Sequence, residues 1–448
     1  MSQKPILLKN ATFINEGATS LRDILIKDNR IEKIDNFISA DNSYEVMDVS
    51  DMLVLPGVID DQVHFREPGA THKATIFTES RAAVLGGTTS FMDMPNNNPP
   101  CTTKEAINNK NNIAQNDSLA NYSFYLGATN DNLEEIKAID PKTTCGVKIF
   151  MGSSTGNLLV DDDIALRNIF KSTNLPIATH CEDNEIIAKN LEAFKEKYHD
   201  NLTPSMHPLI RNHEACLKSS KKAVELAKET GANLHVLHLS TKEEVKLFEE
   251  FAHLPIEERK ITAEVCAHHL YFSDKDYETL GNKIKCNPAI KTLDDRLALI
   301  KAVNNGVISV IATDHAPHTF DEKMKPYLEA PSGLPLVQFS LLAVLELVHE
   351  GKMTLETVVS ALSHNVAKRF NILDRGFIKE GYFADLAIVK HEPFTVKPNI
   401  IASKCGWSPF TSKTFAYHVK HTIVSGNLVV KDSKIISDTT GMMLNFNR

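Results

Sequence analysis

The chain has 448 residues, of which 42% are hydrophobic, and a formal net charge of −8 at pH 7. This composition supports a large core, and the lack of a basic block argues against nucleic acid or an anionic membrane as a partner. No run approaches the roughly 18 apolar residues of a membrane span, and the N-terminus lacks a signal-peptide layout. The seven cysteines form no CxxC pair, which predicts free thiols in a reducing, cytoplasmic compartment.

The first 54 residues alternate apolar and polar side chains, as in ILLKNATFI, which predicts short strands joined by turns. From about residue 55 to 320, short apolar strands are each followed by a segment with apolar residues every three or four positions, as on the buried face of a helix. The predicted strands are VLPGVIDDQVHF, TTSFMDMP, YSFYLGAT, CGVKIFMG, LPIATHCED, NLHVLHLST, ITAEVCAHHLYF and VISVIATDHAPH. Eight such units predict a (β/α)₈ barrel of the TIM type, an α/β fold.

The end of the chain resembles its beginning. Residues from about 376 to 448 return to short alternating runs, as in FADLAIVK and AYHVKHTIVSGNLVVKD. We predict that this segment and residues 1–54 form one small β-sandwich domain, and that residues 55–375 form the barrel.

Unusual polar residues lie where the predicted strands end. In a parallel barrel, the carboxyl ends of the strands meet at one face, and functional side chains gather there. The residues in question are His64 on strand one, Asn96 after strand two, Lys148 in strand four, His180 on strand five, His238 on strand six and Asp314 on strand eight. Side chains alternate along a strand, so Asp60, Gln62 and His64 are expected to share one face.

Each of these residues also has a purely structural explanation. A lone histidine at a strand end is more often a satisfied polar residue than a metal ligand, and an aspartate before a histidine is commonly a cap. Lys148 is harder to explain in this way, because a buried lysine is rare unless it is paired or modified. Together, three histidines, one aspartate and one lysine on five strands favour a divalent metal site, and ligands without thiolates suit Zn²⁺. By contrast, His235 lies three residues before His238, so we expect it to face the opposite way and to pack against a helix.

Seven motifs, in this order, resemble dihydroorotases of the amidohydrolase superfamily: HFREPG, MPNNNPP, GVKIFMG, ATHCED, HVLHLST, CNPAIK and ATDHAPH. The resemblance covers nearly the whole chain. It implies reversible, metal-dependent hydrolysis of L-dihydroorotate to N-carbamoyl-L-aspartate in pyrimidine synthesis. It also implies a small-molecule substrate and a homo-oligomer, either a dimer or a tetramer.

The resemblance further implies a role for each ligand. Lys148 matches a lysine that CO₂ carboxylates and that then bridges two metal ions. His180 and His238 match the ligands of one ion, and His64 and Asp314 match those of the other. Asp314 also matches the group that takes a proton from water and delivers it to the leaving amide nitrogen.

Four other positions match residues that contact the substrate in the resembling family: Arg66, Asn96, Asn287 and His318. Arginine binds a carboxylate through two parallel hydrogen bonds. The related allantoinases carry asparagine at the position of Arg66, and hydantoinases generally lack the HFREPG pattern. Arg66 therefore favours a substrate with a carboxylate, as dihydroorotate has.

One position departs from the family pattern Asp-x-His-x-His, since Gln62 replaces the first metal-binding histidine. Gln62 could coordinate through its oxygen, the buried ion could be held by fewer ligands, or the site could hold one ion at Lys148, His180 and His238. Two alternative functions follow. The chain could be a non-catalytic scaffold that partners aspartate transcarbamoylase, or another cyclic amidase of the allantoinase or hydantoinase type.

Overall fold

The computed structural model describes residues 4–152 and 156–448. Within this part of the chain, no helix is both long enough and apolar enough to cross a membrane. The strands are, in chain order, β1 (Ile6–Asn15), β2 (Ala18–Lys27), β3 (Arg30–Asp35), β4 (Glu45–Asp48), β5 (Met52–Pro56), β6 (Val58–Val63), β7 (Thr88–Asp93), β8 (Asn121–Gly127), β9 (Gly146–Phe150), β10 (Ile177–His180), β11 (Leu234–Val236), β12 (Ile261–Cys266), β13 (Val310–Ala312), β14 (Leu386–Thr395), β15 (Thr414–Val424), β16 (Asn427–Lys431) and β17 (Lys434–Ile435).

The α-helices are α1 (Ile76–Leu85), α2 (Lys104–Asp117), α3 (Leu133–Ala138), α4 (Asp163–Ser172), α5 (Asn184–Tyr198), α6 (His207–Ile210), α7 (His213–Thr230), α8 (Lys242–Val245), α9 (Ala267–Tyr271), α10 (Tyr277–Leu280), α11 (Leu293–Asn304), α12 (Phe320–Lys323), α13 (Ser340–His349), α14 (Leu355–Val359) and α15 (Asn365–Phe370). Local sequence sets several of their ends. The side chain of Asn212 caps the start of α7, and Gly231 ends this helix with the left-handed φ of 72° that glycine tolerates best.

Strands β6 to β13 form the predicted barrel. They pair in chain order in one eight-stranded sheet, and each adjacent pair is parallel. A parallel bridge between Val63 and His315 joins the first strand to the segment that follows the last. Every residue of these eight strands is buried, as expected for a parallel sheet covered on both faces. The predicted fold class is confirmed.

The two ends of the chain form a second sheet beside the barrel. Its strand order is β17-β16-β15-β14-β5-β1-β2-β3, with β4 alongside β1. The antiparallel pairing of β14 with β5 connects the C-terminal strands to the N-terminal ones, and apolar residues of both segments pack into one core. The predicted pairing of the two ends is therefore confirmed, and their strands belong to one hydrogen-bonded sheet.

The last residues of the chain return to the barrel. Met443 bridges to Tyr122 near the amino end of β8, and Phe446 bridges to Ile372. Leu444 and Phe446 are buried in a cluster with barrel residues and with Phe370 of α15. This packing covers the amino ends of the strands and leaves the carboxyl ends for the candidate site.

Candidate active site

A cavity of about 110 Å³ opens at the carboxyl ends of the barrel strands. All the predicted site residues except His318 line it, namely Gln62, His64, Arg66, Asn96, Lys148, His180, His238, Asn287 and Asp314. A larger cavity of about 800 Å³ is lined by other residues, including Lys260, Arg369 and Arg448. The chemistry of the lining, rather than the volume, distinguishes the smaller cavity as the candidate active site.

His180 and His238 form one half of the site. His180 Nδ1 lies 2.9 Å from His238 Nε2, while His180 Nε2 lies 2.9 Å from Glu182 Oε2. If Nε2–H donates to this carboxylate, Nδ1 presents a lone pair to His238. Burial lowers the pKa of both histidines, so both are neutral imidazoles, the form that binds metal ions.

His64 and Asp314 form the other half. His64 Nδ1 lies 2.6 Å from Asn96 Oδ1, and His64 Nε2 lies 3.0 Å from Asp314 Oδ1. A proton on Nδ1 that is donated to Asn96 leaves the lone pair of Nε2 facing a carboxylate oxygen. Lone pairs that converge in this way are satisfied by a cation between them, so the donor set fits a divalent metal ion.

Lys148 lies on β9 between these two pairs and is buried, with 1% of its surface exposed. Burial lowers the pKa of its amine to about 8. In the described part of the chain, its ammonium has no carboxylate partner within 4.0 Å, and it lies 4.7 Å from the centre of the Phe150 ring. The structure therefore places a readily deprotonated amine where the sequence predicted a modified lysine.

Three residues of the site adopt a backbone conformation that is uncommon for side chains with a Cβ. Arg66 has a φ of 65°, His238 a φ of 41° and Asp314 a φ of 48°. Left-handed conformations of this kind cost on the order of 1–3 kcal/mol each and are concentrated at functional sites. Here they turn the side chains of the strand ends toward the cavity.

Gln62 is buried beside Asp314, as its place in the motif predicts. Its Nε2 donates to Asp314 Oδ1 at 3.2 Å, and its Oε1 lies 3.8 Å from Cys266 Sγ. The side-chain amide of Gln62 thus lies where the family has a metal-binding histidine. Its N–H group donates a hydrogen bond to Asp314, the carboxylate that would bind the ion.

We expect Gln62→His to strengthen metal binding at this half of the site. Imidazole is a better donor than a neutral amide, and the change frees Asp314 from a hydrogen bond, so affinity should rise at least about tenfold. Competition with a chelator of known affinity measures the metal affinity of each protein. The matched variant Gln62→Met, which has no oxygen, should bind no better than the natural protein. Equal metal affinity in all three proteins would contradict any role for position 62.

Arg66 and His318, two of the predicted substrate contacts, lie next to each other. Arg66 Nε donates to the carbonyl of Pro317 at 3.0 Å, and its Nη2 lies 3.1 Å from His318 Nε2. His318 does not line the cavity; its Nδ1 lies 3.0 Å from Lys73 Nζ. Burial and the two cations Arg66 and Lys73 lower the pKa of His318, so its imidazole is neutral. It contacts the Arg66 guanidinium on the side away from the cavity and helps to position it.

Several residues at the site were not found from the sequence. Glu182 accepts from His180 and forms an ion pair with Arg211, and although burial opposes ionisation, these partners hold the pKa of Glu182 well below its usual value. His207 Nε2 lies 3.1 Å from Asn287 Oδ1. These partners orient the side chains that line the cavity. They come from segments whose sequence pattern does not indicate a role at the site.

His235 packs against Phe370 of α15, with ring centroids 5.6 Å apart, as predicted, but the prediction that it faces away from the barrel interior is wrong. Its Nε2 lies 3.1 Å from Asp61 of β6 and 3.7 Å from Glu264 of β12. Strands β6 and β11 are not neighbours, so these side chains meet across the barrel interior. Two local irregularities explain the error: His238 has a positive φ, and the pairing of β6 with β7 shifts register between Asp60 and Val63.

The profile of the amidohydrolase family matches residues 53–429. The chain belongs to the amidohydrolase family. It is 34% identical to a dihydroorotase of Clostridium acetobutylicum over 95% of this chain and 100% of that protein. It is also 30% identical to a dihydroorotase of Methanosphaera stadtmanae over 96% of this chain and 97% of that protein.

Solved structures show the same fold. The L-hydantoinase (dihydropyrimidinase) from Arthrobacter aurescens superposes on this amidohydrolase with a TM-score of 0.92, at 24% identity, over 98% of this chain and 99% of that one. Dihydropyrimidinase from Brevibacillus agri gives a TM-score of 0.88 at 23% identity, over 99% of this chain and 100% of that one. The predicted enzyme class is confirmed: this amidohydrolase is a cyclic amide hydrolase that acts on a small molecule.

Proposed function

We propose that this amidohydrolase is a dihydroorotase, which interconverts L-dihydroorotate and N-carbamoyl-L-aspartate. One observation carries the proposal: the guanidinium of Arg66 lines the cavity, and no carboxylate of the described residues lies within 4.0 Å of it. A partly buried cation without an anionic partner is unfavourable, so the site is suited to a substrate that brings a carboxylate. Dihydroorotate has such a group beside its cyclic amide.

The similarity to proteins named dihydroorotases supports this choice of substrate. It extends over nearly the full length of both chains at 30–34% identity. The hydantoinase structures are less similar in sequence and support the fold alone. Like other members of the superfamily, the enzyme is proposed to be a dimer or tetramer.

The proposed cofactor is Zn²⁺, held by His180 and His238 on one side and by His64 and Asp314 on the other. Carboxylated Lys148 is proposed to lie between the two pairs. The carboxylation is chemically reasonable because only a neutral amine reacts with CO₂, and burial of Lys148 favours the neutral form. When bound, the metal supplies a Lewis acid and a nucleophile at neutral pH.

Side chains of the enzyme bind the substrate and transfer the proton. Arg66 binds the substrate carboxylate and orients the ring, so that its amide carbonyl faces the metal ligands. Water adds to this carbonyl carbon, and Asp314 takes the proton that water gives up. As the carbon–nitrogen bond breaks, Asp314 returns the proton to the leaving ring nitrogen. Asn96 accepts from His64 and so fixes the direction of its ring.

We expect Arg66→Met to lower kcat/KM for L-dihydroorotate by about 10–100-fold, mainly through KM. Hydrogen bonds to a charged group contribute roughly 1.5–3 kcal/mol, and each 1.4 kcal/mol is a factor of about ten. Steady-state assays at matched metal content measure the change. Lys73→Met, which removes a cation outside the cavity, serves as the control and should have a smaller effect. Unchanged kinetics in Arg66→Met would contradict the carboxylate assignment.

The contact between Gln62 and Asp314 favours a second candidate function. Because Gln62 Nε2 donates to a proposed metal-binding carboxylate, the site could have lost its ion, as in a non-catalytic scaffold that partners aspartate transcarbamoylase. The deciding experiment is ring opening of L-dihydroorotate by zinc-supplemented protein in bicarbonate, followed by ultraviolet absorbance. Turnover that is lost on chelation supports the dihydroorotase. Bound metal without turnover indicates another cyclic amide, such as a hydantoin, and neither metal nor turnover supports the scaffold.

A further inference from the structure

A second group of metal-binding side chains lies inside the barrel, apart from the cavity. Asp61 of β6, His235 of β11 and Glu264 of β12 are all fully buried, and none of them lines the cavity. Their ligand atoms lie within 4.8 Å of one another. Asp61 precedes the cavity residue Gln62 on β6, and His235 of β11 lies three positions before the cavity residue His238. The inner cluster, meaning Asp61, His235 and Glu264, therefore lies deeper than the proposed catalytic metal site.

Polar atoms of the inner cluster lack the partners that buried groups normally have. Among the described residues, both carboxylate oxygens of Asp61, Glu264 Oε2 and His235 Nε2 have no hydrogen bond of regular geometry, although His235 Nε2 lies 3.1 Å from Asp61 Oδ2. In residues 4–152 and 156–448, no lysine or arginine lies within 4.0 Å of either carboxylate. Converging polar atoms without regular partners in a buried interior are costly unless a cation lies among them.

The hydrogen bond made by His235 Nδ1, on the side of the ring away from the carboxylates, indicates that the cation is a metal ion. His235 Nδ1 lies 2.8 Å from Thr262 Oγ1, and this hydroxyl in turn lies 3.4 Å from the carbonyl oxygen of Leu234, to which it donates. Thr262 therefore accepts from Nδ1–H, which leaves Nε2 as a lone pair aimed at two carboxylates. An imidazole fixed through one nitrogen while the other faces carboxylates is the usual arrangement of a histidine that binds a metal ion.

We propose that the inner cluster binds a divalent transition-metal ion such as Zn²⁺. Asp61 Oδ2, His235 Nε2 and Glu264 Oε2 supply three donor atoms. Bonds of about 2.1 Å in a tetrahedron place ligand atoms roughly 3.4 Å apart, close to the 3.1 Å and 3.7 Å from His235 Nε2 to the two carboxylates. Two carboxylates balance the ion's charge. Mixed nitrogen and oxygen donors suit zinc better than Mg²⁺ or Ca²⁺.

The inner ion stabilises the barrel interior beside the catalytic site. Glu264 Oε1 accepts from the backbone N–H of His238 at 3.2 Å, so an ion on Oε2 holds the carboxylate that positions this residue. The proposal concerns metal content and stability and does not depend on which cyclic amide is the substrate.

The test counts zinc in full-length protein in which the catalytic histidines are removed. The variant His180→Asn/His238→Asn is loaded with Zn²⁺, desalted and analysed by mass spectrometry of the metal. We expect about one zinc per chain to remain. Adding Asp61→Val or Glu264→Gln to this variant should each remove it, whereas adding His64→Asn should not. Zinc should also raise the melting temperature of the double variant but not of its Asp61→Val derivative.

A matched control separates loss of the ion from general destabilisation. Glu79 is another fully buried carboxylate, 2.9 Å from His315 Nε2, and Glu79→Gln in the same double variant should leave the zinc count unchanged. Should Asp61→Val fail to fold, Asp61→Asn keeps the shape and should weaken zinc binding at least about tenfold. A folded double variant without zinc would overturn the proposal. So would zinc that is lost with His64→Asn and kept with Asp61→Val.

Discussion

Replacing Lys148 by methionine is expected to lower turnover of the cyclic amide by about a thousandfold or more and to reduce bound metal. The proposed role of Lys148 is to join both halves of the metal site, and metal activation contributes several kcal/mol to such a reaction. Activity and metal content are measured on the same preparation. Lys148→Glu, which restores a carboxylate on a shorter side chain, should recover part of the metal.

Lys110→Met provides the matched control for this experiment. Lys110 is also buried in the barrel wall, where it pairs with Asp93, and it does not line the cavity. Its loss should lower the melting temperature, because Asp93 is left unpaired, without removing the metal. If Lys148→Met kept full activity and metal, the bridging role would be refuted.

The pH dependence of reactivation gives a second readout for Lys148. Because its pKa is about 8, below that of an ordinary lysine, roughly a tenth of metal-free molecules carry the neutral amine at pH 7 and about half at pH 8. At constant CO₂, the rate of carboxylation should therefore rise about fivefold from pH 7 to 8 and level off above pH 9. A tenfold rise per pH unit up to pH 10 would indicate an ordinary surface amine. Labelled bicarbonate and carbon NMR measure the rate.

The second large effect is expected for Asp314→Asn. Asparagine keeps an oxygen near the metal but cannot accept the proton from water, so kcat should fall by about 10²–10⁴-fold. KM should change much less, because Arg66 and not Asp314 is proposed to bind the substrate carboxylate. Metal content is measured in parallel, so that loss of the ion is distinguished from loss of proton transfer.

Asp60→Asn is the comparison for this variant. Asp60 is a buried carboxyl close in space to Asp314, but its oxygens accept from the backbone N–H and the hydroxyl of Thr313. Burial raises its pKa to about 7, so it is already partly protonated at neutral pH. We expect at most about a tenfold loss of kcat. An equal loss in the two variants would argue that Asp314 has only a structural role.

Much of the fold follows from patterns that are local in the chain. Each barrel strand is a short apolar run, and each ends in polar residues, so the eight strands and their order are visible in the sequence. The residues at the carboxyl ends then have to meet, since parallel strands in one barrel share that face. For this reason His64, Lys148, His180, His238 and Asp314 could be grouped before their positions in space were known.

The orientation of individual side chains could not be predicted equally well. Alternation along a strand assumes regular pairing, and β6 departs from it near Asp61, which meets His235 inside the barrel. Whether a strand shifts register or a residue takes a positive φ depends on the strands beside it. The partners behind the ligands, such as Glu182 with Arg211, depend on loops that approach from distant parts of the chain.

The sequence by itself therefore determined the family, the barrel, the terminal β unit and most of the polar residues that line the candidate cavity, because strand pattern and motif order are properties of the linear chain. The tertiary structure alone decided that Gln62 donates to Asp314, that His318 lies behind Arg66, and that Asp61, His235 and Glu264 converge inside the barrel. These contacts join residues far apart in the chain, and their geometry is set by packing and by local departures from regular strands, which no spacing rule describes.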